Sequence, residues 1–178
     1  FTGIYPHHSG CFGFNNWDGY EVLKHSRTMM DHFREHGYQT LGTGKLMHHM
    51  VRREWESFGN RADYGPFAFD GEKKIAHPGV PAPYRDIGAV DGSFGPLVSL
   101  EGKKALSGAP LTWKTGSWAK QRTLRVTSQQ DRDATADELN GQWAVDQIRQ
   151  QAGKSGEQPF FMGVVFIRPH TPLIVPKR

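Results

Sequence analysis

The chain has 178 residues, which is enough for one domain with a hydrophobic core. Its net charge of +4 is mild and its basic residues are scattered, which argues against a nucleic-acid-binding protein. No apolar run approaches the about 20 residues that cross a bilayer, so no membrane span is predicted. The single cysteine excludes an internal disulfide, and the 21 glycines and 11 prolines indicate a loop-rich chain.

The N-terminal stretch, residues 1–19, is rich in Gly, Asn and aromatic residues and is predicted to be an irregular loop. The first clear helix is predicted over 28–36. Thr28 is its N-cap candidate, and Asp31 three residues later completes a capping-box-like pair. The apolar positions that recur on one face of this helix are Met29, Met30 and Phe33. Gly37 is expected to end the helix in a left-handed conformation.

A short strand is predicted over 38–43, and Gly44 then opens a tight turn. Lys45 and His48 stand just past this strand, with His49 beside them. In an open α/β sheet, ligand sites lie beyond the carboxyl ends of the strands. Lys45 and His48 are therefore expected at a position where α/β proteins commonly bind ligands. A surface lysine and a loop histidine explain the spacing equally well.

The segment 50–132 is the least informative part of the chain. A structureless loop of this length would be unusual in a compact domain, so it is interpreted as an insertion with short strands or turns of its own. Strands are predicted at 97–100 and 123–126, and a turn at 92–96. Such insertions often line substrate pockets.

The second helix is predicted over 135–152, with Thr135 and Glu138 as a capping box and Gly153 as its stop. Its apolar stripe is predicted to consist of Trp143 or Ala144, Val145, Ile148 and Ala152.

The run 160–167 is apolar on both alternating faces, which is typical of a strand buried in a parallel sheet. Pro169 cannot continue a central strand, so the chain turns there and presents His170. His170 repeats the earlier pattern of a strand followed by an imidazole. We therefore expect Lys45, His48 and His170 to converge on one pocket; the alternative is that His170 is an ordinary loop histidine.

Other candidate residues favour structural roles. His7 and His8 lack a carboxylate or thiolate at a workable spacing, so two polar loop histidines are favoured over a metal pair. His32 and His36 are four residues apart and could chelate a metal, but a solvated helix face is favoured. Cys11 is favoured as a small buried residue over a nucleophile, because free cysteine is among the most buried residue types.

Four segments resemble the type I sulfatases of the alkaline phosphatase-like superfamily, most nearly the iduronate-2-sulfatase-like branch. Residues 2–6, TGIYP, are similar to the family's T-G-x-x-P. Residues 28–44 resemble its helix–strand unit, and 44–48, GKLMH, match its G-K-x-x-H form. Residues 159–172 are similar to its strand ending in P-H-x-P.

The resemblance implies an α/β fold, a three-layer sandwich with a mainly parallel central sheet. It implies that residues 1–178 are part of a single sulfatase catalytic domain, with 50–132 as a variable insertion. It also implies calcium and a formylglycine made from the Cys of C-x-P/A-x-R, a motif that Cys11 does not match. The nucleophile is expected upstream of Phe1 and the calcium ligands outside the chain, so the isolated 178 residues are expected to be inactive and no metal ligand is predicted within them.

By this resemblance Lys45 pairs with sulfate oxygens, His48 assists the nucleophile, and His170 binds sulfate or protonates the leaving group. The implied partner is a small sulfated substrate, a carbohydrate, with no nucleic acid or membrane; the implied location is periplasmic or extracellular. Two alternatives stay open. One is a phosphomonoesterase or phosphodiesterase of the same superfamily, and the other is a non-catalytic anion-binding module.

Overall fold

The computed structural model describes residues 1–48, 55–117, 120–153 and 158–177. The chain divides into two compact units. The first comprises Phe1–Arg61 and Asn140–Val165, and the second comprises Ala62–Leu139 and Phe166–Arg178. No helix in the described ranges is long and apolar enough to cross a membrane.

Four α-helices and nine strands occur in the described part of the chain. The helices are α1 (Pro6–Ser9), α2 (Glu21–Lys24), α3 (Met29–Glu35) and α4 (Ala136–Ala152). The strands are β1 (Gln39–Gly44), β2 (Ser57–Arg61), β3 (Phe67–Phe69), β4 (Lys74–Ile75), β5 (Phe94–Leu97), β6 (Thr112–Gly116), β7 (Gln121–Leu124), β8 (Phe160–Val165) and β9 (Leu173–Pro176). Short 3₁₀ helices span Trp17–Gly19 and Tyr84–Ile87.

The N-terminal stretch is more regular than its composition predicts. Pro6 begins α1, and Gly10 ends it in the left-handed conformation with φ of 75°. Proline is pre-organised for the first helical position and glycine for the residue after the last, so these two residues define a single turn of helix. The prediction of an irregular loop over 1–19 is therefore wrong for this turn and for the 3₁₀ helix.

Local signals place α3 and its stop correctly. The N–H of Asp31 donates to Thr28 Oγ1 at 3.1 Å, and the N–H of Thr28 donates to the Asp31 carboxylate at 3.2 Å. This confirms the predicted capping box, and Gly37 has the expected positive φ of 83°. On the predicted apolar face, Met30 is fully buried, whereas Met29 is 39% exposed.

The first unit is built on a three-stranded sheet in the order β2, β1, β8, with both neighbours parallel to β1. Gly42 on β1 pairs with Gly163 on β8, and a Cβ on either would come within 3 Å of the Trp55 indole. Phe33 of α3 stacks on Phe161 of β8, with ring centroids 4.2 Å apart. The two paired glycines thus leave space for the Trp55 indole to pack on the sheet. The prediction that 38–43 and 160–167 share one parallel sheet is confirmed.

The burial predicted for the side chains of β8 is wrong. The run was expected to be buried on both faces, yet Phe160 and Val165 are each 37% exposed. Strand β8 lies at the edge of the described sheet, bonded to β1 on one side, and it ends two residues earlier than predicted. Apolar composition reports which residues tolerate burial, but a strand's position in the sheet decides how much of it is covered.

The second unit contains an antiparallel sheet in the order β4, β3, β6, β7 and a parallel pair, β5 with β9. Its core consists of Ala68, Leu97, Leu100, Leu111, Trp113, Leu124 and Ile174. The predicted strands at 97–100 and 123–126 begin earlier in the structure, as β5 and β7. The predicted turn at 92–96 overlaps β5, because Pro96 is accepted in a strand that pairs on one side with β9.

Helix α4 matches its predicted extent, but of its predicted apolar stripe only Ala144 is buried. The buried positions are Ala136, Asn140 and Ala144, spaced four residues apart, whereas Val145 and Ile148 are 42% and 51% exposed. The inward face of α4 therefore includes a polar side chain. A search for apolar residues alone selects the wrong face.

The capping box of α4 supports a pH-dependent stability prediction. Arg132 donates two hydrogen bonds to the Glu138 carboxylate, at 2.6 and 2.7 Å, and the Thr135 N–H donates a third at 2.8 Å. The Arg132 guanidinium lowers the pKa of Glu138 from 4.5 to about 2. Because the folded pKa lies below the unfolded one, the stabilisation is complete above pH 4.5 and disappears as pH falls toward about 2.

We expect Glu138→Gln to lower the free energy of unfolding at neutral pH by roughly 1 kcal/mol, measured by urea denaturation. The difference from the unsubstituted protein should shrink as the pH falls below 4.5, where Glu138 itself begins to lose its advantage. Glu101→Gln, at another exposed carboxylate, is the matched control and should change little. A difference between the Glu138 variant and the unsubstituted protein that stays constant with pH would contradict the assignment.

Candidate active site

Backbone contacts define the position of Lys45 at the end of β1. Gly44 has φ of 85°, and a Cβ there would collide with the carbonyl oxygen of Val165. The Lys45 N–H donates to that same oxygen at 3.1 Å. Lys45 is half-buried. The junction between the strand and the Lys45 turn is therefore tied to β8.

A buried hydrogen-bonded pair, Thr43 and Asn140, also holds the end of β1. The Thr43 hydroxyl donates to Asn140 Oδ1 at 2.9 Å and accepts the Asn60 N–H at 3.0 Å. Thr43 and Asn140 are both fully buried, and Asn140 Nδ2 has no hydrogen-bond partner among the described residues. The sequence analysis missed Asn140, because one polar residue within an amphipathic helix gives no signal of its own.

His48 lies at the surface of the first unit. Its ring centroid is 4.3 Å from that of Phe14, with the planes tilted by 50°. The aromatic contact orients an otherwise exposed imidazole. His49, which the sequence analysis placed beside it, lies outside the described residues.

His170 lies on the loop between β8 and β9 in the second unit, and it is exposed. Its Nδ1 is 2.7 Å from the Thr171 carbonyl oxygen. A carbonyl can only accept a hydrogen bond, so Nδ1 carries the proton and Nε2 is the atom that can exchange one with an external group. The Tyr64 ring meets the imidazole at 4.7 Å in an edge-on contact.

Two side chains that the sequence analysis missed hold the His170 loop. The Asp137 carboxylate accepts the N–H of Ile167 at 2.6 Å and the N–H of Arg168 at 3.1 Å. Asp137 is in the first turn of α4, where an acidic residue is already explained by the helix dipole. Only the tertiary structure shows that it binds the backbone ahead of His170.

The Arg168 guanidinium provides the second anchor. Its Nη2 donates to the Gly65 carbonyl at 2.8 Å and lies 3.4 Å from the Tyr64 carbonyl. Burial lowers the pKa of Arg168, and the carboxylates of Asp137 and Asp63 offset part of that effect. The loop is thus attached both to α4 and to the segment that carries Tyr64.

The structure places the three predicted residues in two different units. Lys45 and His48 belong to the first and His170 to the second. Each of the three residues is positioned separately: Lys45 by the end of a strand, His48 by an aromatic neighbour and His170 by an anchored loop. Their convergence on one ligand stays a prediction.

The described residues do not supply a metal centre. They contain no group of three or more His, Cys, Asp or Glu side chains that could hold a metal ion. His7 and His8 have ring centroids 4.2 Å apart, and His32 and His36 have theirs 4.3 Å apart. Each of these is a pair of neighbours without a third ligand in the described part of the chain.

Cys11 is half-buried and lines a small cavity of about 170 Å³ in the first unit. The lining is mainly apolar, with contributions from Phe1, Ile4, Trp17 and Leu23. No cationic or imidazole side chain among the described residues lines it.

Comparison with known proteins identifies relatives. The Sulfatase family matches the chain over residues 1–178. A protein named "Sulfatase" from Formosa agariphila (strain DSM 15362 / KCTC 12365 / LMG 23005 / KMM 3901 / M-2Alg 35-1) is 26% identical over 184 aligned positions. That alignment covers 99% of the chain but 29% of the relative, so the chain spans less than a third of the relative's length. No solved structure matches the chain.

Proposed function

Because the chain belongs to the sulfatase family, we propose that it forms part of the catalytic domain of an enzyme that hydrolyses sulfate esters. The observation that supports the proposal most directly is Lys45, whose backbone is tied to β8 at the carboxyl end of a parallel strand. Ligand sites in α/β sheets lie beyond such ends. A cation there suits an anionic substrate.

In the proposed hydrolysis, an oxygen nucleophile forms a bond to sulfur while the bond between sulfur and the bridging oxygen breaks, and the electron pair of that bond stays on the leaving oxygen. In the net reaction, water supplies the fourth oxygen of the released sulfate. Negative charge builds on that oxygen and on the sulfate oxygens. The Lys45 ammonium binds sulfate oxygens and stabilises this charge, which is the kind of fixed electrostatic contact that contributes most to such reactions. Binding sulfate through Lys45 also orients the ester for attack at sulfur.

We assign the two histidines to hydrogen bonding and proton transfer. His48 hydrogen-bonds the attacking group or the sulfate. His170 donates a proton from Nε2 to the leaving oxygen, so that the product leaves as an alcohol. The Thr171 carbonyl supports this assignment by holding the other proton on Nδ1. Imidazole suits the task because one ring nitrogen can exchange a proton while the other is held by a hydrogen bond.

The sulfatase family implies a calcium ion and a formylglycine nucleophile. The described residues do not form a calcium site, and Cys11 lacks the Pro or Ala and the Arg of C-x-P/A-x-R. The proposal also covers the domain organisation: residues 1–178 belong to one catalytic domain, with 50–132 as its insertion. It includes membership of the iduronate-2-sulfatase-like branch, a small sulfated carbohydrate as substrate, and a periplasmic or extracellular location.

The test compares 4-nitrophenyl sulfate with 4-nitrophenyl phosphate as substrates of the whole protein that contains this chain. We expect turnover of the sulfate ester to exceed that of the phosphate ester. Preference for the phosphate ester would instead indicate a phosphomonoesterase of the same superfamily. Binding of both esters without turnover of either would indicate an anion-binding module.

A further inference from the structure

Helix α4 contacts β1 through two pairs of polar side chains in the first unit. Gln151 Nε2 donates to Gln39 Oε1 at 2.8 Å near the start of β1, and both residues are half-buried. The Thr43 hydroxyl donates to Asn140 Oδ1 at 2.9 Å near the end of the strand, and both residues are fully buried. Lys45 follows the second pair by two residues, so the two pairs differ in burial and in separation from Lys45.

The second pair coincides with an irregularity in the pairing of β1 with β2. Gly42 pairs with Phe58, and the next register pair joins Gly44 to Arg61. Two residues of β2 therefore lie opposite Thr43, which is the arrangement of a β-bulge. The Thr43 hydroxyl accepts the N–H of the second of them at 3.0 Å. One hydroxyl thus connects β1, the bulge in β2 and α4.

The backbone around this hydroxyl is closely packed. A Cβ on Gly59 would lie 2.6 Å from the Trp143 ring and 2.8 Å from Thr43 Oγ1. A Cβ on Gly44 would lie 3.1 Å from Asn140 Nδ2. The two glycines therefore allow side chains of α4 to reach the backbone of both strands. Interiors packed this closely transmit displacements, so a shift of Asn140 would move the end of β1.

The stability of α4 alone does not explain Asn140. Its Nδ2 has no hydrogen-bond partner among the described residues, although the side chain is fully buried. A buried donor without a partner is unfavourable. The buried positions one turn before and after it, Ala136 and Ala144, are both apolar. The bond to Thr43 is therefore the described interaction that accounts for an amide at this position.

We propose that Thr43 and Asn140 are positioning residues for Lys45, an inference that rests on the proposed function for the role of Lys45. Their hydrogen bond holds the end of β1 against α4, and the N–H of Lys45 is bonded to Val165 O of β8 at 3.1 Å. The strand end is thus held on both sides of Gly44. This limits the positions that the Lys45 ammonium can take, and misplacing a group by about 1 Å can cost ~10²-fold in rate.

The experiment measures turnover of 4-nitrophenyl sulfate by the whole protein. Thr43→Val removes the hydroxyl and keeps a β-branched side chain, and we expect kcat to fall roughly 10–100-fold. Thr43→Ser retains the hydroxyl and should recover most of the lost turnover. Gln39→Met is the matched control, because it removes the other polar contact between α4 and β1, and it should change kcat less than about twofold.

Two further measurements separate positioning from a loss of folding. In the Lys45→Ala protein, adding Thr43→Val should change kcat less than about twofold, because the side chain to be positioned is absent. The Lys45 N–H should exchange with solvent about tenfold faster in Thr43→Val and at an unchanged rate in Gln39→Met, measured by amide hydrogen exchange. If Thr43→Val does not fold, Asn140→Ala takes its place, because it removes the acceptor and leaves the bond from the Asn60 N–H to Thr43.

Equal losses of turnover in Thr43→Val and Gln39→Met would overturn the proposal, because any weakening of the contact between α4 and β1 would then have the same effect. A loss that is as large in the Lys45→Ala protein as in the unsubstituted one would also overturn it. Unchanged turnover in Lys45→Ala alone would refute the proposed role of Lys45 and this inference with it. A loss in Lys45→Ala with full turnover in Thr43→Val would refute this inference and leave the proposed function intact.

Discussion

Replacing Lys45 by Ala in the whole protein is expected to lower turnover of a sulfate ester by ~10²–10³-fold, the usual loss when one charge-stabilising donor is removed. The reason is that Lys45 stands at the end of β1, held by the bond from its N–H to Val165 O at 3.1 Å. The substitution leaves this backbone bond in place. We expect the free energy of unfolding to change by less than about 1 kcal/mol.

Steady-state kinetics and urea denaturation of the same variant separate the two effects. Lys24→Ala removes an exposed lysine from α2 in the same unit and is the control for charge alone. Turnover unchanged in the Lys45 variant would return Lys45 to the role of a surface lysine. A loss of turnover matched by a loss of folded protein would assign it a structural role.

Gly44→Ala should be the most destabilising single substitution near the site. Gly44 combines φ of 85° with a Cβ position that overlaps the Val165 carbonyl oxygen. A left-handed backbone costs a non-glycine residue roughly 1–2 kcal/mol, and overpacking adds roughly 1–3 kcal/mol. We expect the free energy of unfolding to fall by roughly 2–5 kcal/mol in denaturant titration.

Gly37→Ala supplies the matched control. Gly37 has nearly the same φ, 83°, but apart from its chain neighbours no atom of the described residues lies within 4 Å of its Cβ position. It should lose only the backbone term of roughly 1–2 kcal/mol. If the two alanine variants are equally destabilised, then the contact between β1 and β8 at Gly44 is not as close as described.

Local rules predicted part of this fold well. The two capping boxes, at Thr28 and Thr135, were correct because each is satisfied by hydrogen bonds within one turn of helix. Gly37 and Gly44 were recognisable because only glycine adopts their backbone conformation easily. The parallel pairing of β1 with β8 followed from two strand patterns, each preceded by a capped helix.

The wrong predictions concern features that depend on contacts between residues far apart in the sequence. The exposure of β8 depends on its edge position, and the strand at Pro96 depends on β9, which is distant in sequence. The inward face of α4 was misassigned because Asn140 is buried against Thr43, a residue 97 positions away. Polar contacts over long sequence separations leave no periodic trace.

For the candidate site, too, the sequence indicates some features and not others. Its three side chains stay a prediction, made because each follows a strand in a motif that resembles a known family. Asp137 and Arg168, which anchor the His170 loop, gave no signal in the sequence because they act through backbone groups. Any residue type has an N–H or a carbonyl to offer, so these partners carry no sequence signature.

The proposal that Lys45 and His170 act on one sulfate group is tested most directly by a double-mutant cycle on the whole protein. It compares kcat/KM for a sulfate ester in Lys45→Ala, His170→Ala and the double variant. If both residues act on the same transition state, the double variant should be little slower than the slower single variant, since such effects are strongly non-additive. Losses that multiply, with a coupling energy near zero, would show that the two residues act independently and would contradict a shared site.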